Sequence, residues 1–149
     1  MSPELQQRMT IEHGLLLRYF GQHYWFEHAG FLCAEIGLRT NGGTQYAVRF
    51  VLPPTYPDDC PSALVTHPVP LVDRRGRSLA ALGPSATMHI LEGAGLFTSI
   101  CHYHPARWGA DRTLYEVAIK ARFWLEAYEL HLRTGEPIDT YLAHMKESA

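Results

Sequence analysis

Between Leu52 and Pro70 the chain reads LPPTYPDDCPSALVTHPVP, with prolines at 53, 54, 57, 61, 68 and 70. Proline has no N–H to donate to a sheet ladder, so a run this dense cannot be helix interior or the middle of a sheet. It must be rigid loop, and only ALVTH (Ala63 to His67) is free to form a strand, a short one expected at a sheet edge. This loop divides the chain into two halves of different periodicity.

The first half begins as a helix. Ser2 suits its cap, Pro3 its first position, and apolar residues recur at Leu5, Met9, Leu16 and Tyr19 before Gly21 stops it. Three strand-like stretches come next: HYWFEHA, FLCAEIGLRT and TQYAVRFVL. Gly30 separates the first two, and Asn41-Gly42-Gly43 is a strong hairpin signal between the others. With ALVTH they make an antiparallel four-stranded meander.

After the prolines, VDRRGRSLAALGPS reads as an exposed insertion and the cysteine segment LFTSICHYHPARW as irregular. The period then turns helical. Asp111 is the expected cap, and Leu114, Val117, Ala118, Ala121, Leu125, Tyr128 and Leu132 make one apolar stripe. Thr134-Gly135 ends it, and Pro137 opens a shorter helix through Met145. Tyr115, Ile119, Phe123 and Leu130 lie off the stripe, so this helix is expected to be buried on two sides, by the last helix or by a second subunit. A homodimer is the expectation. The fold class is α+β, one sheet with helices packed against it, in a single domain over residues 1–149.

A net charge of −2 with 19% charged residues excludes the electrostatic footprint of a nucleic-acid binder. No apolar run reaches the roughly 20 residues a membrane span needs, and the N-terminus is too polar for a secretory signal. Cys33, Cys60 and Cys101 are an odd set without metal-type pair spacing, which fits free thiols in a reducing, cytoplasmic compartment. CHYH, with His89 added, raises zinc as a competing reading, yet it offers one ligand pair at best, so no metal is expected. Cys33, in an alternating strand, is expected in the core, Cys60 in a structural role, and Trp108 and Trp124 among packed aromatics.

Order and residues together resemble the ubiquitin-conjugating enzyme family. YAVRFVLPPTYPDDCPSALV is similar to the family's third strand, Tyr-Pro turn and fourth strand. His89 in TMHIL stands where the family has His-Pro-Asn, and GLFTSIC is similar to its approach to the active-site cysteine. Trp108 and RTLYEVAIKARFWLEAYE resemble the tryptophan and helix that the family places after that cysteine. WLEAYELHLRTGE resembles bacterial members of cyclic-oligonucleotide antiphage signalling (CBASS). The likeness runs from Gly30 to Leu142. It departs at the motif asparagine, since Ile90 and Leu91 come after His89, and at Val72–Pro84, which has no counterpart in the eukaryotic pattern. No activating domain is attached, so a separate activating enzyme is implied or none is needed.

The resemblance implies a ubiquitin-conjugating-enzyme-like fold and a transferase without cofactor. Cys101 would hold the C-terminus of a protein as a thioester and pass it to an amine. The cargo it implies is a cGAS-like nucleotidyltransferase or, as rival, a bacterial ubiquitin-like protein. A catalytically inactive binding module of the same fold is the alternative the missing asparagine suggests. An unperturbed thiol is only a few per cent thiolate near neutrality, so Cys101 needs help. His102 points away from Cys101 if the strand continues, which leaves His104 as the candidate activator. Losing an oxyanion donor lowers rates by about 10²–10³. His89, Thr98, Ser99 and a backbone N–H near Cys101 are candidate replacements, His89 first because it matches the motif. Tyr103 and Trp108 are candidates to border the cysteine and exclude water from a bound cargo.

Overall fold

In a computed structural model of the chain, which describes residues 2–102 and 107–142, α1 (Pro3–Phe20) starts and stops as expected. The Ser2 hydroxyl accepts from the Leu5 N–H, and Gly21, at φ 73°, turns the chain away while its N–H closes on Leu17. Leu16 is buried, and so, unexpectedly for a charged residue, is Glu12.

The sheet consists of β1 (Tyr24–His28), β2 (Phe31–Arg39), β3 (Gln45–Leu52), β4 (Ser62–His67), β5 (Ile90–Ala94) and β6 (Phe97–Ile100). All pairings are antiparallel, in the order β1-β2-β3-β4-β6-β5. The expected hairpin is present: the Asn41-Gly42-Gly43 turn joins β2 to β3, with Gly43 at φ 89°. Two expectations fail. The sheet has six strands rather than four, because residues 90–100, up to the cysteine, form the β5–β6 hairpin. ALVTH is an interior strand, not an edge, because β6 pairs along its far side. The proline rule still holds: Pro61 and Pro68 bracket β4 and none lies within it, so no ladder donor is lost.

Helices cover one face of this sheet. Ala34, Ile36, Val48, Phe50, Val65 and Ile100 pack against Leu16 and against α3 (Leu114–Thr134), whose Leu114, Val117, Ala118, Ala121, Trp124 and Leu125 are buried. Cys33 is 1% exposed, as expected of a core residue. The register sets it on the opposite face, since Cys33↔Val51 alternates with the helix-facing pair Ala34↔Phe50. On that same face the Arg49 guanidinium lies 5.0 Å from the Phe26 ring and 5.3 Å from the Phe97 ring.

The cap of α3 is Thr113, not Asp111. Its hydroxyl accepts from the Glu116 N–H, and the Glu116 carboxylate accepts from the Thr113 N–H, a reciprocal box that an Asp111 start would forgo. Gly135, in the left-handed region, ends the helix as expected. Residues 138–142 are helical; the expected continuation to Met145 lies outside the described residues. The off-stripe residues Tyr115, Ile119, Phe123 and Leu130 are half-buried, as is Leu132 of the expected stripe. Tyr115 packs its ring against Tyr19 and Phe20, so α1 meets part of the second side.

The tract after β4 is less exposed than expected. Leu71, Asp73 and Leu79 are buried, and Ser78 caps a single helical turn, α2 (Leu79–Leu82). Tyr128 of α3 holds the tract by both accepting from the Val72 N–H and donating to the Val72 carbonyl. Among the described residues, no helix is long and apolar enough to cross a membrane.

Candidate functional site around Cys101

Cys101 directly follows β6 and is half-buried. Its neighbours come from both sides of that strand. On the β5 side, the register Ile90↔Ile100 continues by one residue, setting His89 opposite Cys101, and the Cys101 N–H donates to the His89 carbonyl at 2.9 Å. On the β4 side, Ala63↔Ile100 continues to set Ser62 opposite Cys101.

His89 sits at φ 50°, left-handed backbone that a β-carbon makes unfavourable and that marks a constrained position. Its Nε2–H donates to Asp139 Oδ1 at 2.6 Å, and the Asp139 N–H donates to the Thr87 carbonyl at 2.8 Å. The C-terminal helical turn thus grips the loop before β5. Trp124 of α3 adds a bond from its indole N–H to the Met88 carbonyl. With Nε2–H given to Asp139, a neutral His89 ring has only a lone pair left at Nδ1. It can accept a proton there, but it has no second N–H to offer a developing oxyanion.

The other oxyanion candidates fare differently. The Cys101 N–H is engaged by His89. Thr98 is 1% exposed and shares the helix-facing side of β6 with Ile100; its hydroxyl is buried and has no hydrogen-bond partner. Ser99 is 6% exposed on the other face.

His102 turns its ring toward the proline loop. Its Nε2 lies 2.7 Å from the Pro61 carbonyl oxygen, which can only accept, so Nε2 carries the proton. Nδ1 is then an acceptor, 3.9 Å from Cys60 Sγ. Burial pushes this imidazole down to about 4, against the raising effect of the Pro61 bond, so the ring is neutral. Burial pushes the Cys60 thiol up to about 11, and a charge on Cys101 pushes it further the same way. Cys60, expected to be merely structural, thus stands beside the imidazole of His102, the residue next to Cys101 in the chain.

Tyr103 and His104 lie outside the described residues, so the expected thiol activator and one expected cargo contact are not placed. Trp108 is placed, half-buried. Its indole N–H donates to the Pro57 carbonyl at 2.8 Å and its ring lies 6.3 Å from that of Tyr56. Tyr56, in the Tyr-Pro turn, donates its hydroxyl to the buried Glu12 carboxylate at 3.0 Å. That carboxylate also accepts from the Leu114 N–H at 2.8 Å and from Arg8 Nε at 3.1 Å. Arg8 in turn donates to the carbonyls of Ala110 and Arg112. Glu12 thus ties α1, the proline loop and the start of α3 together, and the proline loop in turn bonds His102 through Pro61 and Trp108 through Pro57.

Among the described residues, no group of three or more His, Cys, Asp or Glu is arranged to hold a metal ion. Cys60, His102 and Asp139 were not legible as site residues. Their roles depend on β4 pairing with β6 and on the last helical turn reaching back to His89, and no local pattern announces either. The motif stretch around Cys101 was the one available signal.

The fold and site define an α+β protein with helices on one sheet face and a half-buried cysteine where an interior strand ends. Comparison with known proteins found no matching protein-family model, curated protein or solved structure.

Proposed function

We propose that this chain is a thioester-forming transferase of the ubiquitin-conjugating type. Cys101 takes the C-terminal acyl group of a protein from an activated donor and passes it to an amine. The observation that carries the reading is the placement of Cys101. It is half-buried, follows a strand directly, and lies across the ladder from a histidine whose tautomer a carboxylate fixes.

In the transfer step an amine attacks the thioester carbonyl, the nitrogen loses a proton, and the Cys101 thiolate leaves. His89 takes that proton at Nδ1, oriented by Asp139 as a carboxylate orients an imidazole base. This replaces the oxyanion role expected of His89, because the required N–H is already committed. Trp108, packed on the Tyr-Pro turn, limits water at the thioester. In the CBASS setting the cargo is a cGAS-like nucleotidyltransferase, with a ubiquitin-like protein as the rival and a separate activating enzyme as a further partner. A non-catalytic binding module is the second reading, favoured by the engaged Cys101 N–H and the buried hydroxyls of Thr98 and Ser99.

Co-expression with each candidate cargo, with and without an activating enzyme, followed by intact-mass measurement separates these readings. Catalysis requires a thiol-labile adduct on the wild type, a thiol-resistant ester on Cys101→Ser and no adduct on Cys101→Ala. Cargo that binds stably yet never becomes covalent on any variant would establish the binding module instead.

A further inference from the structure

We infer that Cys60 and Cys101 form a peroxide-reactive dithiol, in which Cys101 is oxidised first and Cys60 closes a disulfide on it. Two observations bring the thiols to one end of the β4–β6 pair. The β4–β6 register, continued one residue past Ala63↔Ile100, sets Ser62 opposite Cys101, and Cys60 lies two residues before Ser62, so the two cysteines flank the same end of the β4–β6 pair. Cys60 Sγ lies 3.9 Å from Nδ1 of His102, the residue next to Cys101 in the chain.

Diagonal ladder neighbours are about 7–8 Å apart at Cα, with the β-carbons closer, and a disulfide spans Cα distances up to about 7 Å. Both cysteines lie just beyond the ends of their strands, so closing the remaining gap moves strand-end backbone rather than the sheet interior. Cys33 cannot compete: it is 1% exposed and sits two strands away from β4.

The two thiols are also unequal in the way such chemistry requires. Cys60 is desolvated beside a neutral imidazole and is held as a thiol, so it is a poor first nucleophile. In the first step the Cys101 thiolate attacks a hydroperoxide, taking its terminal OH; the sulfur is oxidised to the sulfenic acid and the O–O bond is reduced, releasing alkoxide or hydroxide. In the second, Cys60 sulfur displaces the sulfenic OH, the S–S bond forms, and the Cys60 proton leaves with that OH as water. His102 Nδ1 orients the Cys60 thiol for this displacement. The site would silence Cys101 reversibly under oxidative stress, whatever reaction Cys101 performs.

The test uses the full-length reduced protein, hydrogen peroxide and no cargo. The expected result is an intact mass lowered by two hydrogens, restored by dithiothreitol, with a peptide map joining the Cys60 and Cys101 peptides. Cys60→Ser should lose the bridge and instead carry a dimedone-trappable sulfenic acid on Cys101, while Cys33→Ser should behave as wild type. A circular-dichroism spectrum unchanged in Cys60→Ser guards against misfolding, and Cys60→Ala provides a second variant. Oxygen addition at Cys101 without any linked peptide in the wild type, or bridging only between chains, overturns the proposal. Because no cargo takes part, a failed transfer assay does not bear on this outcome.

Discussion

Replacing Glu12 tests how α1, the proline loop and the start of α3 are held together. Its side chain is wholly buried and accepts from Arg8, Tyr56 and the Leu114 N–H. Glu12→Ala leaves a half-buried guanidinium, a buried phenol and a helix-terminal N–H short of their acceptor. Removing one partner of a buried ion pair destabilises by about 3–5 kcal/mol. Glu12→Gln keeps the shape and one acceptor oxygen. If that oxygen serves Tyr56 and Leu114, the amide nitrogen faces Arg8 donor to donor, and one charge-assisted bond is lost, worth about 1.5–3 kcal/mol. Ala should be the least stable at every pH, and Gln, which has no charge to desolvate, should gain on wild type as pH rises. For a chain of this length the Ala variant should melt roughly 10 °C lower. Burial pushes the Glu12 carboxyl above its usual range, outweighing the Leu114, Tyr56 and Arg8 bonds that pull it down. A carboxyl raised on folding binds its proton more tightly in the native state. Its contribution is therefore complete below the unfolded value and declines as pH rises through the folded one. Denaturant melts of the three proteins at several pH values read all of this. If Glu12→Gln equals wild type within about 0.5 kcal/mol and keeps the same pH slope, the three-donor account is wrong.

His102 should show the opposite pH trend: its imidazole is depressed from 6.5 to about 4 by burial, so stability is complete above 6.5 and falls as pH drops toward 4. The loss is up to about 3 kcal/mol, and His102→Gln should flatten it in the same melts; an unchanged slope refutes the burial argument. Thr98→Val should stabilise by about 1 kcal/mol, since it removes a buried hydroxyl without a partner, and should leave transfer at wild-type rate; slower transfer would return Thr98 to the reaction. Tyr128→Phe strips the Val72 N–H and carbonyl of their partner and should destabilise by about 1–3 kcal/mol, with faster proteolysis of the tract after β4 as the second readout. Asp139→Asn should slow amine transfer about tenfold or more and shift its pH profile while leaving thioester loading intact; an unshifted profile assigns Asp139 to structure alone.

Local features of the chain were legible wherever a few adjacent residues decide the outcome. Ser2, Pro3 and Gly21 bound α1, Asn41-Gly42-Gly43 turns the hairpin, and Gly135 ends α3, because each acts on the φ/ψ choices of its own neighbourhood. The proline bracket around β4 was readable for the same reason, although its place in the interior of the sheet was not. Even the Thr113 cap could have been read from the Glu three residues on, a stronger local signal than Asp111 alone.

What joins distant segments was decided by the tertiary structure. The stretch before Cys101 became a ladder strand only because β4 was there to pair with it, and that pairing brought the end of the proline loop, with Cys60, against His102. Glu12 sits in an otherwise apolar stripe, and only the arrival of Tyr56 and Leu114, 44 and 102 residues away, makes its burial tolerable. Asp139 reaches His89 across 50 residues. Backbone preference is a property of adjacent residues and can be read along the chain. The satisfaction of a buried polar group depends on which partners folding delivers to it, and no local pattern carries that information.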